Sequence, residues 1–444
     1  MTPVENTAEN LYVSRRRDSS DAQSYHSVES NQSVGSASKH SSHQNKLSRS
    51  IGSFIASPSS WTKKHLHHHH HHSELSSPYA NVPRLNEKYG DYVKSNKKSN
   101  SKSSGATNKK NIASGATAVI RLVQSPKGGR ILAVKEFMKK DRNEDEKDYL
   151  KRMHNEYCIS KTVSGHPNIV ETMDLVVDEH DRWCTVMEYC DGGDLFSLLS
   201  EKSSMPIMES ACLFKQLMLG LQHLHHLGIA HRDIKPENLV LTKGGTLKIA
   251  DFGVADVVQT CFEKEPHVSR KWCGSEPFWS PEIWSLKSQE DGYNGQAFDV
   301  WSAAVTFICI RFQQLPFAVA FYTGRPNASP LPDAKPNSPA AIAAQAADGG
   351  DRDYGLYAEQ RAKLGAFACD LWDNLSGKDH LSDDEKECLA GMLDPNPDTR
   401  WTADQVLESK WIQTVELCHD GELPNGWRHY HTCFSVSDHS PRSR

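Results

Sequence analysis

The chain has 444 residues, with 51 Lys plus Arg, 56 Asp plus Glu, a net charge of −5 and 11 cysteines. The charge is uneven: residues 1–110 hold 16 basic and 8 acidic residues among 25 serines, a net of +8, so the remainder holds 35 basic and 48 acidic residues, a net of −13. The cysteines are scattered with no Cys-x-x-Cys pair, and no apolar run approaches the roughly 18 residues that span a bilayer, which argues against a disulfide scaffold and a membrane-spanning chain.

The Ser-rich stretch has too few apolar residues to offset the entropy of ordering, so a disordered basic tail is expected over residues 1–87. Its charges are dispersed, which favours a solvated regulatory tail over a nucleic-acid-binding arm, and phosphorylation of several serines would invert its sign. The run His67 to His72 has metal-binding side chains but no Cys or acidic partner to fix a geometry, and reads as low complexity. A folded domain is expected over 88–415, with a strand-rich lobe near 110–190 and a helical lobe near 191–415. A disordered surface insertion is expected at 322–351 and a C-terminal tail at 416–444.

From Ala118 the pattern becomes strand, turn, strand: AVIRLVQ, SPKGG, RILAVKEF. A charged helix follows from about Glu144 to Thr162, then strands around IVETMDLVV and RWCTVMEY on either side of the polar turn DEHD. Helical patterns begin near Asp194 and from Ile207 to Leu227. AAVTFICI, from Ala303 to Ile310, reads as a buried helix, and the AAIAAQAA core of the insertion can form a short one. Further helices are expected around Ala366 to Leu375 and Ser382 to Leu393. A small five-stranded lobe with one helix, followed by a larger helical lobe, is an α+β architecture.

The chemistry lies between His231 and Gly253, HRDIKPENLVLTKGGTLKIADFG. Phosphoryl transfer needs an acid that holds the attacking hydroxyl, a second acid on Mg²⁺ and an amide completing the metal shell. Asp233, Asp251 and Asn238 supply these residue types. LVLTKGGTLKI alternates on both sides of Lys243 to Gly245, so a hairpin is expected to bring the two acids together. Upstream, Lys135 in LAVKEF suits a strand lysine that holds nucleotide phosphates, and Glu156 in HNEYC suits the helix glutamate that fixes its ammonium.

The phosphate-covering loop departs from the G-x-G-x-x-G-x-V template. Ala113, Gly115 and Ala118 occupy its three glycine positions and Ile120 its valine position. Alanine still permits close approach of the backbone to phosphate but narrows the accessible φ. In VMEYCDGGDLF, Glu188 to Cys190 are expected to offer backbone groups to adenine, Asp194 to reach the ribose or a substrate cation, and Met187 to line the back of the pocket. SPE, Ser280 to Glu282, closes the activation segment, DVW at Asp299 opens a buried helix, and Arg400 is placed to pair with Glu282.

These motifs resemble the eukaryotic protein kinases over about residues 110–415, with HRDIKPEN as the serine/threonine form. KYG at 88–90, AVKEF, NEYCIS, MEYCDGGDLF and CGSEPFWSPE are similar to the fungal halotolerance and nitrogen-permease-reactivator kinases. The resemblance implies a bilobal protein kinase fold using ATP and Mg²⁺, in which Asp233 accepts the substrate hydroxyl proton and Lys235 steadies the γ-phosphate. Asn238 and Asp251 would hold Mg²⁺, and Lys135 would grip the nucleotide. It further implies a monomeric fungal kinase acting on Ser or Thr of protein substrates, among them plasma-membrane transporters or their adaptors, without a nucleic-acid partner. Its expected place is the cytoplasm or the inner side of the plasma membrane.

Asp194 and Glu237 put acidic groups where a peptide would lie, so a preference for Arg or Lys upstream of the acceptor is expected. Lys271 stands where many relatives carry a phosphorylated residue, two before Cys273. That leaves Ser269 or Thr260 as substitutes, or a segment ordered without phosphate. A catalytically weak scaffold and a small-molecule kinase remain as alternatives; intact Lys135, Asp233 and Asp251 stand against the first, and KPEN with SPE against the second.

Overall fold

The computed structural model describes residues 82–93, 111–114, 118–124, 129–137, 139–140, 142–202, 204–376 and 380–431. Gly115, the His run and the expectations for residues 1–81 fall outside these. The N-lobe begins with helix α1 (Leu85–Tyr89) and continues through β1 (Asn111–Ser114), β2 (Ala118–Val123), β3 (Leu132–Phe137), helix α2 (Glu146–Val163), β4 (Thr172–Val177) and β5 (Trp183–Glu188). The strands form one antiparallel sheet in the order β1-β2-β3-β5-β4.

Side chains alternate across this sheet, as the pleat requires. Phe137, Val177 and Trp183 face α2 and pack on its Tyr149 and Met153. Val134, Val176, Cys184 and Val186 face the opposite way and meet Leu85 and Tyr92. That second face explains a correction to the expected boundary: residues 82–87 are part of the fold, not of a disordered tail. Left bare, the outer face would expose a row of apolar side chains, and the 82–93 segment covers it. Leu85 is 2 % exposed, and the segment is stitched on by Val177 N to Pro83 O at 3.1 Å and Val93 N to Leu122 O at 2.9 Å.

The C-lobe opens with α3 (Leu195–Glu201) and α4 (Ile207–His226), followed by β6 (Ile229–Ala230), β7 (Leu239–Leu241), β8 (Leu247–Ile249) and β9 (Asp256–Val257). Then come α5 (Pro281–Trp284), α6 (Gly295–Phe312), α7 (Pro339–Ala344), α8 (Arg352–Leu364), α9 (Asp370–Ser376), α10 (Asp383–Met392), α11 (Ala403–Glu408) and α12 (Lys410–Thr414). The AAVTFICI run lies in α6, which is buried on nearly every side; a helix in such a setting needs no polar face. Its start is capped by Asn294, while α10 and α11 start with the capping boxes Ser382/Glu385 and Thr402/Gln405. The Phe214, Phe307 and Trp411 rings, 4.6–5.5 Å apart, join α4, α6 and α12 in the main core.

The 322–351 segment is not a disordered insertion. Ser338 caps α7, Ala340 N donates to Leu286 O at 3.0 Å, and Lys335 N donates to Lys287 O at 2.8 Å. Small side chains allow this: Ala341 and Ala343 bury against the lobe where bulkier residues would stand off. Helix α8 follows without having been expected; Asp351 caps it through the amides of Asp353 and Tyr354, and Tyr357 is buried with its hydroxyl donating to Leu393 O at 2.9 Å. Residues 416–431 are likewise no free tail. Tyr430 N donates to Glu209 Oε1 at 3.1 Å, and Asp420 accepts from Thr246 Oγ1 at 3.0 Å in the turn between β7 and β8. Among the described residues, no helix is long and apolar enough to cross a membrane.

Candidate active site

The site lies where β3, α2 and the loops around the β7–β8 hairpin meet. Lys135 is on β3, opposite Ile120 of β2, and is 6 % exposed. Its Nζ donates to Glu156 Oε1 of α2 at 2.5 Å and to Asp251 Oδ1 at 2.8 Å. Burial alone would depress the ammonium, but the Asp251 and Glu156 carboxylates outweigh it and hold its pKa above the ordinary lysine value. The converse holds for Asp251: burial opposes its ionisation, Lys135 more than offsets that, and its carboxyl falls from 3.8 to about 2.

The β7–β8 hairpin pairs Leu239 with Ile249 and so returns the chain after Asn238 to the start of Asp251. Ala250 N donates to Asn238 O at 2.9 Å. Asn238 Nδ2 donates to Asp233 O at 2.8 Å and Oδ2 at 2.9 Å. Lys235 Nζ sits 3.0 Å from Asp233 Oδ2 and donates to Ser275 Oγ at 2.8 Å. Asp233 is thereby held by an amide and an ammonium. Lys235 is partly buried, which works against its charge, yet the nearby Asp233 raises its pKa.

The backbone around these side chains is held from behind. Asp299, fully buried at the start of α6, accepts from His231 N at 2.8 Å and Arg232 N at 2.7 Å, and His225 Nε2 lies 3.0 Å from the same carboxylate. Asp233 N donates to His231 Nδ1 at 3.2 Å, which leaves Nε2–H as the donor to Ala250 O at 3.0 Å. Arg232 and Asp251 have φ of 67° and 62°, a left-handed conformation costing about 1–3 kcal/mol per residue unless the surroundings impose it. Close approach requires glycine at 274, where φ is +83° and a Cβ would lie 2.6 Å from Arg232 O; at Gly253 a Cβ would lie 3.3 Å from Asp251 Oδ1, a tight contact with a side chain.

The activation segment is tied down without an anion. Arg232 Nε donates to Val254 O at 2.8 Å, and Nη1 donates to Arg270 O at 2.9 Å and to the Tyr293 hydroxyl at 3.0 Å. Ser269 is fully buried and donates to Asp256 Oδ2 at 2.7 Å; Thr260 N and Oγ1 are both bound to Glu263. At the end of the segment, Arg400 makes a two-pronged pair with Glu282 at 2.7 and 2.8 Å, with its guanidinium 5.2 Å over the Trp301 ring.

At the linker, Glu188 N donates to Glu171 O at 2.9 Å, and the Glu188 carboxylate pairs with Lys248 at 2.8 Å and Arg130 at 3.1 Å. Burial pushes the Cys190 thiol up to about 12, so it is neutral at physiological pH. The Asp194 carboxylate caps α3, accepting from Ser197 N at 2.8 Å and Ser197 Oγ at 3.0 Å. Ala113 pairs with Ile120, and Ala118 with Phe137, so both alanines lie on the strands that flank the covering loop. The sequence did not point to Ser275 or Tyr293. Their partners, Lys235 and Arg232, are 40 and 61 residues away, beyond the reach of any local motif.

A strand lysine shared by a helix glutamate and a second acid, beside an Asp-Lys-Asn cluster between two lobes, defines a protein kinase domain. The chain belongs to the protein kinase domain family, which it matches over residues 106–412. It is 35 % identical over 319 residues to the serine/threonine-protein kinase hal4 of Schizosaccharomyces pombe, across 70 % of this chain and 43 % of that protein. It is 33 % identical over 318 residues to the serine/threonine-protein kinase HAL4/SAT4 of Saccharomyces cerevisiae, across 70 % and 46 %. With the nitrogen permease reactivator protein of the same yeast the identity is 31 % over 348 residues, across 74 % and 42 %. The chain spans less than half the length of these curated relatives.

Proposed function

We propose that this chain is an active protein serine/threonine kinase that transfers the γ-phosphate of ATP to protein substrates. The observation that carries this reading is Lys135 held at once by Glu156 and Asp251, because a kinase requires both the lysine–glutamate pair and the metal-binding aspartate in place. In this reading Lys135 grips the α- and β-phosphates, beneath the loop that runs from Ala113 through Gly115 to Ala118 and Ile120. Glu188 N is already bound to Glu171, so the backbone donor for adenine falls to Cys190, with the Glu188 carbonyl beside it. Asp194, while capping α3, faces the ribose or a substrate cation.

The donor set suits Mg²⁺: Asp251 is a carboxylate at neutral pH, and the Asn238 amide has its nitrogen committed to Asp233, leaving its oxygen as the ligand. The ion supplies charge neutralisation at the phosphates. Asp233, fixed by Asn238 and Lys235, orients the substrate hydroxyl and takes up its proton; Lys235, bridging Asp233 and Ser275, faces the transferred phosphoryl group. Most of the rate gain then comes from groups fixed before reaction.

A plasma-membrane transporter, or an adaptor of one, is the substrate class we favour, supported by the likeness to a fungal protein named for reactivating a nitrogen permease. The full-length chain with Mg-ATP and a degenerate peptide library tests the activity. Transfer to Ser or Thr, with Arg or Lys preferred upstream, should fall about 10²–10⁴-fold in Asp233→Asn. Absence of transfer, or transfer indifferent to that substitution, would overturn the proposal.

A further inference from the structure

Four side chains outside the phosphate-transfer machinery converge beneath α4. Cys212 comes from the first half of that helix; Cys418, His429 and His431 come from the folded C-terminal segment, and all four are buried. One sulfur or ring nitrogen from each lies within 4.8 Å of all the others. The two sulfurs are 3.6 Å apart, and His431 Nε2 is 3.3 Å from Cys418 Sγ. A tetrahedral ion with bonds of about 2.3 Å to sulfur and about 2.0 Å to nitrogen sets its ligand atoms about 3.3–3.8 Å apart. Both measured edges have that length.

Two further observations point to a cation. Nδ1 of His429 is buried without a hydrogen-bond partner, an unfavourable state for a ring nitrogen that has nothing to bind; Nδ1 of His431 is also unpartnered but, with Nε2 as that ring's ligand atom, does not bear on the ion. The sulfurs, by contrast, are surrounded by N–H donors: Gln216 Nε2 reaches Cys212 Sγ at 3.5 Å and Cys418 Sγ at 3.8 Å, and Cys418 N reaches Cys212 Sγ at 3.4 Å. Donors of this kind offset thiolate charge around a bound metal. A disulfide would account for the sulfur pair alone and would leave two buried histidines beside it unexplained.

We propose that Cys212, Cys418, His429 and His431 bind one zinc ion in a closed site. Two thiolates and two imidazoles in tetrahedral array select zinc over the oxygen-preferring cations, and four protein ligands leave no open position for a substrate, so the site is structural. It ties residues 416–431 to α4. The same segment carries Asp420, which accepts from Thr246 in the hairpin turn, so the ion also braces the hairpin that joins Asn238 to Asp251.

The test uses full-length protein purified under reducing conditions, with His67 to His72 replaced by Gln because that run would collect metal ions of its own. Elemental analysis should find one zinc per chain, and exchange into cobalt(II) should give the intense visible bands of a tetrahedral site with a thiolate-to-cobalt charge-transfer band. Cys418→Ser and His431→Ala should each weaken zinc retention against a chelator more than about tenfold. The cobalt spectrum needs no ligand variant, so a misfolded variant does not blunt the test. Substoichiometric zinc, an octahedral cobalt spectrum, or an intact mass that reveals a Cys212–Cys418 disulfide would each overturn the proposal. None of these readouts depends on kinase activity.

Discussion

Arg232 Nη1 and the Tyr293 hydroxyl meet at 3.0 Å, and that hydroxyl in turn donates to the carbonyl of Lys271 at 3.4 Å. The arginine that would clamp a phosphate in a switched kinase is thus occupied by neutral oxygens, the Val254 and Arg270 carbonyls of the activation segment and the Tyr293 hydroxyl just beyond it. Treatment of the purified chain with a broad-specificity phosphatase should leave its peptide phosphorylation rate unchanged. Tyr293→Phe should destabilise the fold by about 1.5–3 kcal/mol, the range for a bond to a charged group, and lower activity with it. A rate that collapses on phosphatase treatment would refute the first expectation.

Glu156 is the partner that keeps Lys135 aimed at the site. Glu156→Gln keeps the size but weakens the grip on the ammonium, and a misplacement of about 1 Å at such a group costs about 10²-fold in rate. Steady-state kinetics should show kcat/KM for peptide falling by about that factor while the melting temperature changes little.

The pH dependence of the Lys135–Asp251 pair has a defined sign. Asp251 has a folded value of about 2 against 3.8, so its contribution to stability is complete above about pH 5 and is lost as pH falls through both values. Lys135 is raised, so its contribution is complete below its ordinary 10.5 and is lost only as pH rises beyond that. The stability gap between the native chain and Asp251→Asn should therefore be flat from about pH 5 to pH 9 and narrow toward pH 2. Urea titrations across that range provide the measurement.

Arg400 is 4 % exposed and binds Glu282 with both arms of its fork. Removing one member leaves the other charge poorly solvated, so Arg400→Met should cost about 3–5 kcal/mol, and Arg400→Lys should recover only part of it because ammonium lacks the fork. Equilibrium unfolding of the two variants separates the effects.

Leu85 belongs to a segment the sequence placed in an unfolded tail. If it covers the sheet as the structure has it, Leu85→Ala should destabilise the chain by about 2–5 kcal/mol; an exposed leucine would cost almost nothing. Thermal melts of the full chain decide between them.

The residues proposed to react could be picked out because their constraints are local in sequence. HRD, the asparagine five residues on and DFG after a hairpin-length gap each follow from one turn or one strand pair, and AVKEF reads as a strand. What the sequence concealed depends on burial between distant segments. Residues 82–87 look polar because Val82 and Leu85 are their only branched aliphatic side chains, although both pack against the sheet lobe; 322–351 looks like a linker because small residues pack as well as large ones when two backbones approach closely. Cys212 and the trio Cys418, His429 and His431 are separated by some two hundred residues, so no spacing rule for metal ligands could join them. Ser269 was a reasonable phosphoacceptor by position alone, and only its burial against Asp256 argues otherwise.

Asp299 carries a consequence of a different kind. Both main-chain amides leading into Asp233 hang from this one carboxylate at the head of α6, the most deeply buried helix of the lobe. The aim of Asp233, the proposed proton acceptor, is therefore calibrated by the least deformable part of the molecule. Variation on the lobe's outer surface can drift freely without disturbing that calibration, whereas a single methylene change in the α6 core would be felt as an error of alignment at the reacting atom.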